Sequence, residues 1–420
     1  MNNNGFWFFH NFPKMRIVSK FLYSAVFLSV ISCGEKRPGL VVKNPTDNDL
    51  ESKPIVIKKQ DLAGSGKWIA VYDENNKKLN VQHDDLDGDG NWDEIVFLAN
   101  IPSISETEFT YQWNGEKERQ PLKVQARLGV SKERNGTFSE VTEHVMDSVQ
   151  KAQVIPQLYQ LEGVVWENDK IGFRLYFDER NGKDIFGKQQ TELVLDSIKG
   201  GYHKLKDWGM DVLKVGTSLG AGSLAMKDGE GKLHRLGNTP NVKYKQLVEG
   251  PVRAIFELVY PEWIVNKKTY QLTERIEIVK GEHAYRSQIK LVGPDYPELV
   301  AGVVNLKFKG KETVYKDNGG WSVYSFGKQS ENGDLLGMAL TIPEACFASS
   351  GRIEKDPETD NAVSDSFYAS LKPENGIYEF DFVSGWELAD KRFKDKKGFE
   401  DYLQKWVIMR NTPISVEVRK

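Results

Sequence analysis

The chain reads as a mostly β protein: a small N-terminal β domain followed by a large antiparallel β-sandwich. Three observations predict this. Short runs of alternating apolar and polar residues recur between residues 40 and 383, the period-two pattern of half-buried strands. Gly, Asn and Asp separate the runs, as tight turns between antiparallel strands require. Helical periodicity is scarce outside 396–407, which argues against a parallel sheet with crossover helices.

A leader comes first. MRIVSK at 15–20 is a basic start, 21–31 is an eleven-residue apolar run, and VISC ends at Cys33. This is a secretory signal too short to span a bilayer stably. A small residue directly before a cysteine has the form of a bacterial lipobox. Residues 1–33 are therefore expected to be leader and signal peptide, with translation starting at Met15 and Cys33 lipidated. The expected place is the outer membrane, held by lipid and facing the periplasm, with surface exposure as the alternative. Cys346 is the only other cysteine, so the core, not an intrachain disulfide, has to hold the exported fold.

Residues 34–125 are expected to form the small β domain, with strands at 40–44, 54–58, 67–72, 94–98 and 107–113. Its notable piece is DLDGDGNWDE at 85–94. Asp85, Asp87, Asp89 and Asp93 fall at positions 1, 3, 5 and 9 around Gly90 at position 6, as at the start of an EF-hand loop. Position 12 is Val96 rather than a glutamate, and no helix pattern flanks the loop. Two readings stand: a structural calcium in a β-hairpin loop closed by Asp93 or Glu94, or a plain acidic turn. No cofactor is expected for catalysis.

The large domain is expected over 126–420. Residues 145–159 have a helical pattern up to Pro156. Between 166 and 178 the period becomes two: Ile171, Phe173, Leu175 and Phe177 share one face, Arg174, Tyr176 and Asp178 the other. The polar face is either solvated or lines a cleft. Arg180, Lys183, Asp184 and Lys188 follow in an expected loop with Gly182 and Gly187. Strands are then expected at 252–260, 270–279, 285–291, 303–308, 322–326, 337–342 and 378–383. Glu274 shares the apolar face of its strand and is expected to be the buried partner of an arginine.

Before those strands lies GGYHKLKDWGMDVLKVGTSLGAG at 200–222, with six glycines in twenty-three residues. Such density is incompatible with a regular helix or strand. Between the glycines stand Tyr202, His203, Lys204, Lys206, Asp207, Trp208 and Asp211, and long loops carrying such groups are where binding and catalysis concentrate. The competing reading is a β connection whose glycines serve turns.

With 57 basic and 60 acidic residues, nothing marks a nucleic-acid-binding chain. Motifs for a nucleophilic serine, a P-loop, a CxxC pair, an HExxH zinc site or a dinucleotide fold are absent, and the six histidines are dispersed. No protein partner can be inferred.

Taken together, the VISC lipobox, QHDDLDGDGNWDE, WENDKIGFRLYFDERNGKDIFGK and YHKLKDWGMDVLKVGTSLGAG resemble a family of bacterial lipoproteins encoded beside polysaccharide-degrading enzymes. The resemblance covers nearly the whole mature chain. It implies an oligosaccharide dehydratase of ulvan breakdown. Such an enzyme removes water from a non-reducing-end glucuronic or iduronic acid and leaves a 4,5-unsaturated uronate. GPVRAIFELVYPEW and ERIEIVKGEHAYRSQIKL resemble strands of galactose-mutarotase-like supersandwiches, an architecture that polysaccharide lyases also use.

That reaction sets requirements. The C5 proton is α to a carboxylate, so its removal places further negative charge there, which donors must neutralise. A base must reach the proton and an acid must protonate the departing 4-hydroxyl. His203 with Tyr202 is expected to supply them, with His144 and Lys204 as lower-ranked alternatives. Arg174, Arg180 and Lys188 are expected to hold the carboxylate or a neighbouring sulfate, and Trp166 and Trp208 to stack on sugar faces. Each has a plainer reading: an Arg174–Asp178 ion pair, a structural His203, two core tryptophans. The expected substrate is an anionic oligosaccharide. The alternatives are a polysaccharide lyase with the same elimination and a non-catalytic glycan-binding lipoprotein.

Overall fold

The computed structural model describes residues 37–134, 136–146, 158–198, 200–237, 239–353 and 362–419. The leader, Cys33 and most of the helix expected at 145–159 lie outside them. Residue 145 itself belongs to a strand, Glu143–Met146, which pairs with Val242–Val248. Arg37–Lys420 form one compact unit, and its two largest hydrophobic cores among the described residues are separate.

The first core belongs to an N-terminal sandwich. A four-stranded sheet contains Gly39–Asn44, Trp68–Tyr72 and Ser105–Asn114, and a three-stranded sheet contains Leu50–Lys58, Gln82–Asp84 and Glu94–Ile101. Leu40, Val42, Ile55, Ile57, Ile95, Phe97, Phe109 and Tyr111 fill the space between the sheets. The fourth strand of the first sheet is Ser415–Arg419, which pairs antiparallel with Gly39–Asn44. The last described strand thus completes the sheet that the first described strand belongs to.

Three further antiparallel sheets, of nine, six and five strands, enclose the main core. Trp166 and Phe173 enter it from the six-stranded sheet, Leu299 and Ala301 from the five-stranded sheet, and Phe256, Tyr285 and Phe382 from the nine-stranded sheet. The mostly β, antiparallel architecture expected from the alternating runs is what forms. Most expected strands are present, usually longer, as with Arg253–Val265 and Lys268–Val279. The run expected at 303–308 differs: that strand spans Glu298–Val304 and ends there.

The helix spans Lys396–Asn411, and the Asp395 side chain caps it by accepting from Gly398 N–H. Phe399, Leu403 and Trp406 fall on one helical face and pack with Ala284, Ala339 and Val383. The last three alternate with residues of the main core, so the helix covers the outer face of the nine-stranded sheet. No helix among the described residues is long and apolar enough to cross a membrane.

Candidate active site

The outer face of the six-stranded sheet carries a cluster of ionisable groups. Ile171–Tyr176 and Lys183–Lys188 pair antiparallel with Arg174 opposite Asp184, and Gly209–Asp211 adds the edge with Asp211 opposite Phe186. Alternation sends Phe173 and Leu175 into the core and Arg174 and Tyr176 to the other side. The segment after Lys188 folds back over that side, burying Val194, Leu195 and Ile198 with Val165 and Phe186. Tyr202 and Trp208 pack against the same patch.

Beneath this cover Arg174 is fully buried. Its Nη2 donates to Tyr176 Oη, Asp184 Oδ2 and Asp211 Oδ2, the last at 2.8 Å. Its Nη1 donates to Tyr202 Oη at 3.3 Å. Tyr202 Oη in turn donates to Glu162 Oε1 at 2.9 Å, and Tyr176 Oη to Asp184 Oδ2 at 2.6 Å. Such a set holds together only because each charge has a partner. Leu161 and Glu162 both adopt left-handed backbone angles, φ 53° and 67°, a sparsely populated conformation for non-glycine residues.

His203 stands at the mouth of this network. Its side chain is 66% exposed, and Nδ1 lies 3.3 Å from Asp211 Oδ2. The His203 and Tyr202 rings are 4.5 Å apart between centroids. A backbone hydrogen bond of 2.8 Å from Asp211 N–H to the Tyr202 carbonyl ties the two sides together. Burial, with Asp184 beside it, pushes the Asp211 carboxyl well above the usual carboxylate range. Burial also raises the Tyr202 phenol to about 12, against the opposing pull of Arg174. A phenol held neutral in this way can donate a proton, and the imidazole beside it is open to solvent.

Tyr202, His203, Arg174 and Arg180 are brought together, Arg180 lying 4.5 Å over the Tyr176 ring. Arg180 is held by Asp178, its Nε donating to Oδ2 at 2.9 Å, and keeps 20% of its side chain exposed. Arg174 has no exposed surface with which to meet a substrate; it lies beneath Tyr202 and Asp211 and donates to both. Its carboxylate partners are Asp184, Asp211 and, at 3.6 Å, Glu162, not Asp178. Lys188 is a correction: its segment is a buried strand rather than a loop, and its Nζ donates to Glu167 Oε2 and the Asn168 carbonyl, both at 2.6 Å. Trp166 is a second: fully buried and stacked on Phe173 at 5.6 Å, it offers no face to a sugar. Glu274 pairs with Lys183 at 2.5 Å rather than with an arginine. Trp208 is half-buried, 6.3 Å from Phe186.

The sequence pattern alone does not mark Glu162, Tyr176, Asp184 or Asp211 as site residues, although Tyr176 shares the polar strand face of Arg174 and Asp211 sits inside the glycine-rich segment. Nothing local marks Glu162, whose place depends on a strand pairing.

The acidic loop is remote in sequence and belongs to the N-terminal sandwich. Side-chain oxygens of Asp85, Asp87 and Asp89 lie within 4.8 Å of one another. Asp93 stands apart from that group; its Oδ2 accepts from Leu86 N–H at 2.7 Å. Asp85 accepts from the Gly88 and Gly90 amides, each at 2.8 Å. Glu94 is drawn away into an ion pair with Arg253. The loop's own amides therefore engage the carboxylates expected to hold an ion.

Comparison with known proteins finds a match over residues 42–416 to the family described as "Domain of unknown function (DUF4861)". "Uncharacterized protein P7" of Formosa agariphila is 25% identical over 444 residues, covering 97% of this chain and 100% of that protein. Two solved structures from Enterococcus faecalis, one of an alpha-mannosidase and one of a protein in glycosyl hydrolase family 38, align over 92% of this chain. Their TM-scores are 0.47 and 0.46, and their identities 10% and 9%. The chain spans slightly under half of their lengths, 46% and 48%.

Proposed function

This chain belongs to the DUF4861 family, a family of unknown function, and we propose that it is a dehydratase acting on the non-reducing-end uronic acid of ulvan-type oligosaccharides. The observation that carries the reading is the exposed His203 imidazole backed by buried Asp211, with the neutral Tyr202 phenol beside it. A syn or anti elimination of water needs such a pair of groups, one accepting and one donating a proton.

His203 takes the C5 proton, and the electrons left on C5 delocalise into the uronate carboxylate. Arg180, with exposed Lys204 and Lys206 nearby in sequence, supplies positive charge to that carboxylate. Collapse forms the C4–C5 double bond and expels the 4-hydroxyl, which leaves as water after taking the Tyr202 proton. Asp211 orients the imidazole through Nδ1, and Arg174 keeps Asp211 in place. Trp208 borders the same patch and offers an apolar edge to a sugar ring.

Incubation of the protein with defined uronate-ended oligosaccharides, followed by mass spectrometry, tests the reading. The expected product keeps the chain length, loses the mass of one water, and gains the ultraviolet absorbance of an unsaturated uronate. Shortened products would assign a polysaccharide lyase instead. Bound but unchanged substrate would assign a glycan-binding protein.

A further inference from the structure

A cleft on the opposite side of the main core has no part in the chemistry above. It measures about 310 Å³ and is lined by Lys53, Glu282, Arg286, Asp381, Trp406 and Arg410, among others. Strand register sets Glu277, Arg286, Asp381 and Thr341 side by side across four strands of the nine-stranded sheet. Asp381 alternates with Phe380 and Phe382, which enter the main core, so this row faces outward. Arg174 likewise alternates with core residues of the six-stranded sheet, and the hydrophobic core therefore separates the two sites.

A covered sheet face is normally apolar, yet this one carries charge with incomplete hydrogen bonding. Asp381 is 5% exposed, and its Oδ1 has no hydrogen-bond partner. Its Oδ2 accepts from Arg410 Nε at 3.0 Å and Trp406 Nε1 at 3.3 Å. Arg286 Nε is also buried without a hydrogen bond. The carboxylates of Asp381, Glu379 and Glu277 stand 3.5, 3.9 and 4.0 Å from its guanidinium, near enough to attract but too far to satisfy its donors. Burial pushes the Asp381 carboxyl up to about 7 and that of Glu282 well above its usual range. The lining carries Lys53, Arg253, Arg286 and Arg410 against Glu277, Glu282 and Asp381, and the raised carboxyls can donate when protonated.

We propose that this cleft is a second ligand site, which takes one sugar unit bearing an oxyanion, either carboxylate or sulfate. Arg286 and Lys53 receive the oxyanion, and Asp381 and Glu282 hydrogen-bond the ring hydroxyls. Recognition of an oxyanion follows from the cleft itself, since guanidinium geometry matches such groups; the choice of a sugar as its carrier rests on the reading of the His203 cluster.

Isothermal titration of the mature chain with glucuronate, glucose 6-sulfate, glucose and inorganic sulfate tests the proposal. Saturable binding of glucuronate or of the sulfated sugar is expected, and the tighter of the two identifies the oxyanion. Glucose should bind roughly tenfold more weakly or worse, as loss of a charged hydrogen bond implies. Arg286→Gln should weaken the sugar acid by a similar factor, whereas His203→Ala should leave its affinity unchanged. Glucose binding as well as glucuronate, inorganic sulfate binding as well as either acid, or an unaffected Arg286→Gln variant would each overturn it. Hydrogen exchange on the unaltered protein decides the matter if that variant does not fold or if no heat is seen. Glucuronate should then protect 277–288 and 377–386, and no protection there overturns the site. Failure of the elimination assay with this protection intact would remove the His203 reading and leave the cleft site standing.

Discussion

His203 and Arg174 show how differently two residues of one cluster depend on their surroundings. His203 is mostly exposed and touches the network through Asp211 alone among its ion-pair contacts, so its removal should spare the fold. We expect His203→Ala to lose roughly 10²–10⁴-fold in turnover, the usual contribution of a general base, with an unchanged melting temperature and little change in substrate affinity. Near-normal turnover in that folded variant would take His203 out of the mechanism. Arg174 is enclosed and neutralises Asp184 and Asp211. Arg174→Ala should therefore destabilise the protein by about 3–5 kcal/mol, because it strands buried carboxylates without a counter-charge; thermal and urea unfolding would measure this. An Arg174→Ala variant as stable as the parent would mean that the Asp184–Asp211 pair carries no net negative charge in the fold.

At the scale of elements, the glycine-rich segment and the final strand behave in opposite ways. All six glycines between 200 and 222 adopt positive φ. A Cβ at Gly209 would lie 1.8 Å from the Gly187 carbonyl oxygen, and one at Gly220 would lie 2.1 Å from that of Lys183. The glycines let this segment run against Lys183–Lys188 and so bring Tyr202, His203 and Asp211 to Arg174. Their density signalled an irregular segment, although it also holds the short strand Gly209–Asp211 and ends inside another, Ala221–Lys227. Ser415–Arg419, by contrast, is a five-residue strand with three residues exposed, too short and polar to announce itself. It covers the edge of Gly39–Asn44, and Val416 and Val418 pack on the first core. Truncation after residue 413 should cost about 2 kcal/mol from the lost apolar burial and should promote aggregation through the uncovered edge. Calorimetry and light scattering would check this, and an unchanged melting temperature would show that the strand is dispensable.

At the scale of the whole molecule, the leader proposes an anchor: with VISC ending at Cys33, we expect fatty-acid labelling in a bacterial host that Cys33→Ala abolishes. Labelling that persists in the variant would place the modification elsewhere or remove the anchor from the account. What the sequence determined by itself was the architecture and the neighbourhood of the candidate site. Period-two alternation reports which face of a strand is buried, and this suffices for an antiparallel β protein, as with Ile171, Phe173 and Leu175. It also reported that Arg174 and Tyr176 share a face. Only the tertiary structure decided whether that face meets water. The fold-back of 189–198 and 200–208 over the six-stranded sheet closed it, turning Arg174 from an expected substrate contact into the support of Asp211 and Tyr202. Pairing of Lys183–Lys188 likewise took Lys188 inward to Glu167, and the stacking of sheets placed Trp166 in the core. Strand register also aligned Arg286 with Asp381, residues 95 positions apart in the chain. Burial and register are properties of contacts between distant segments, and the local pattern of a single strand does not contain them.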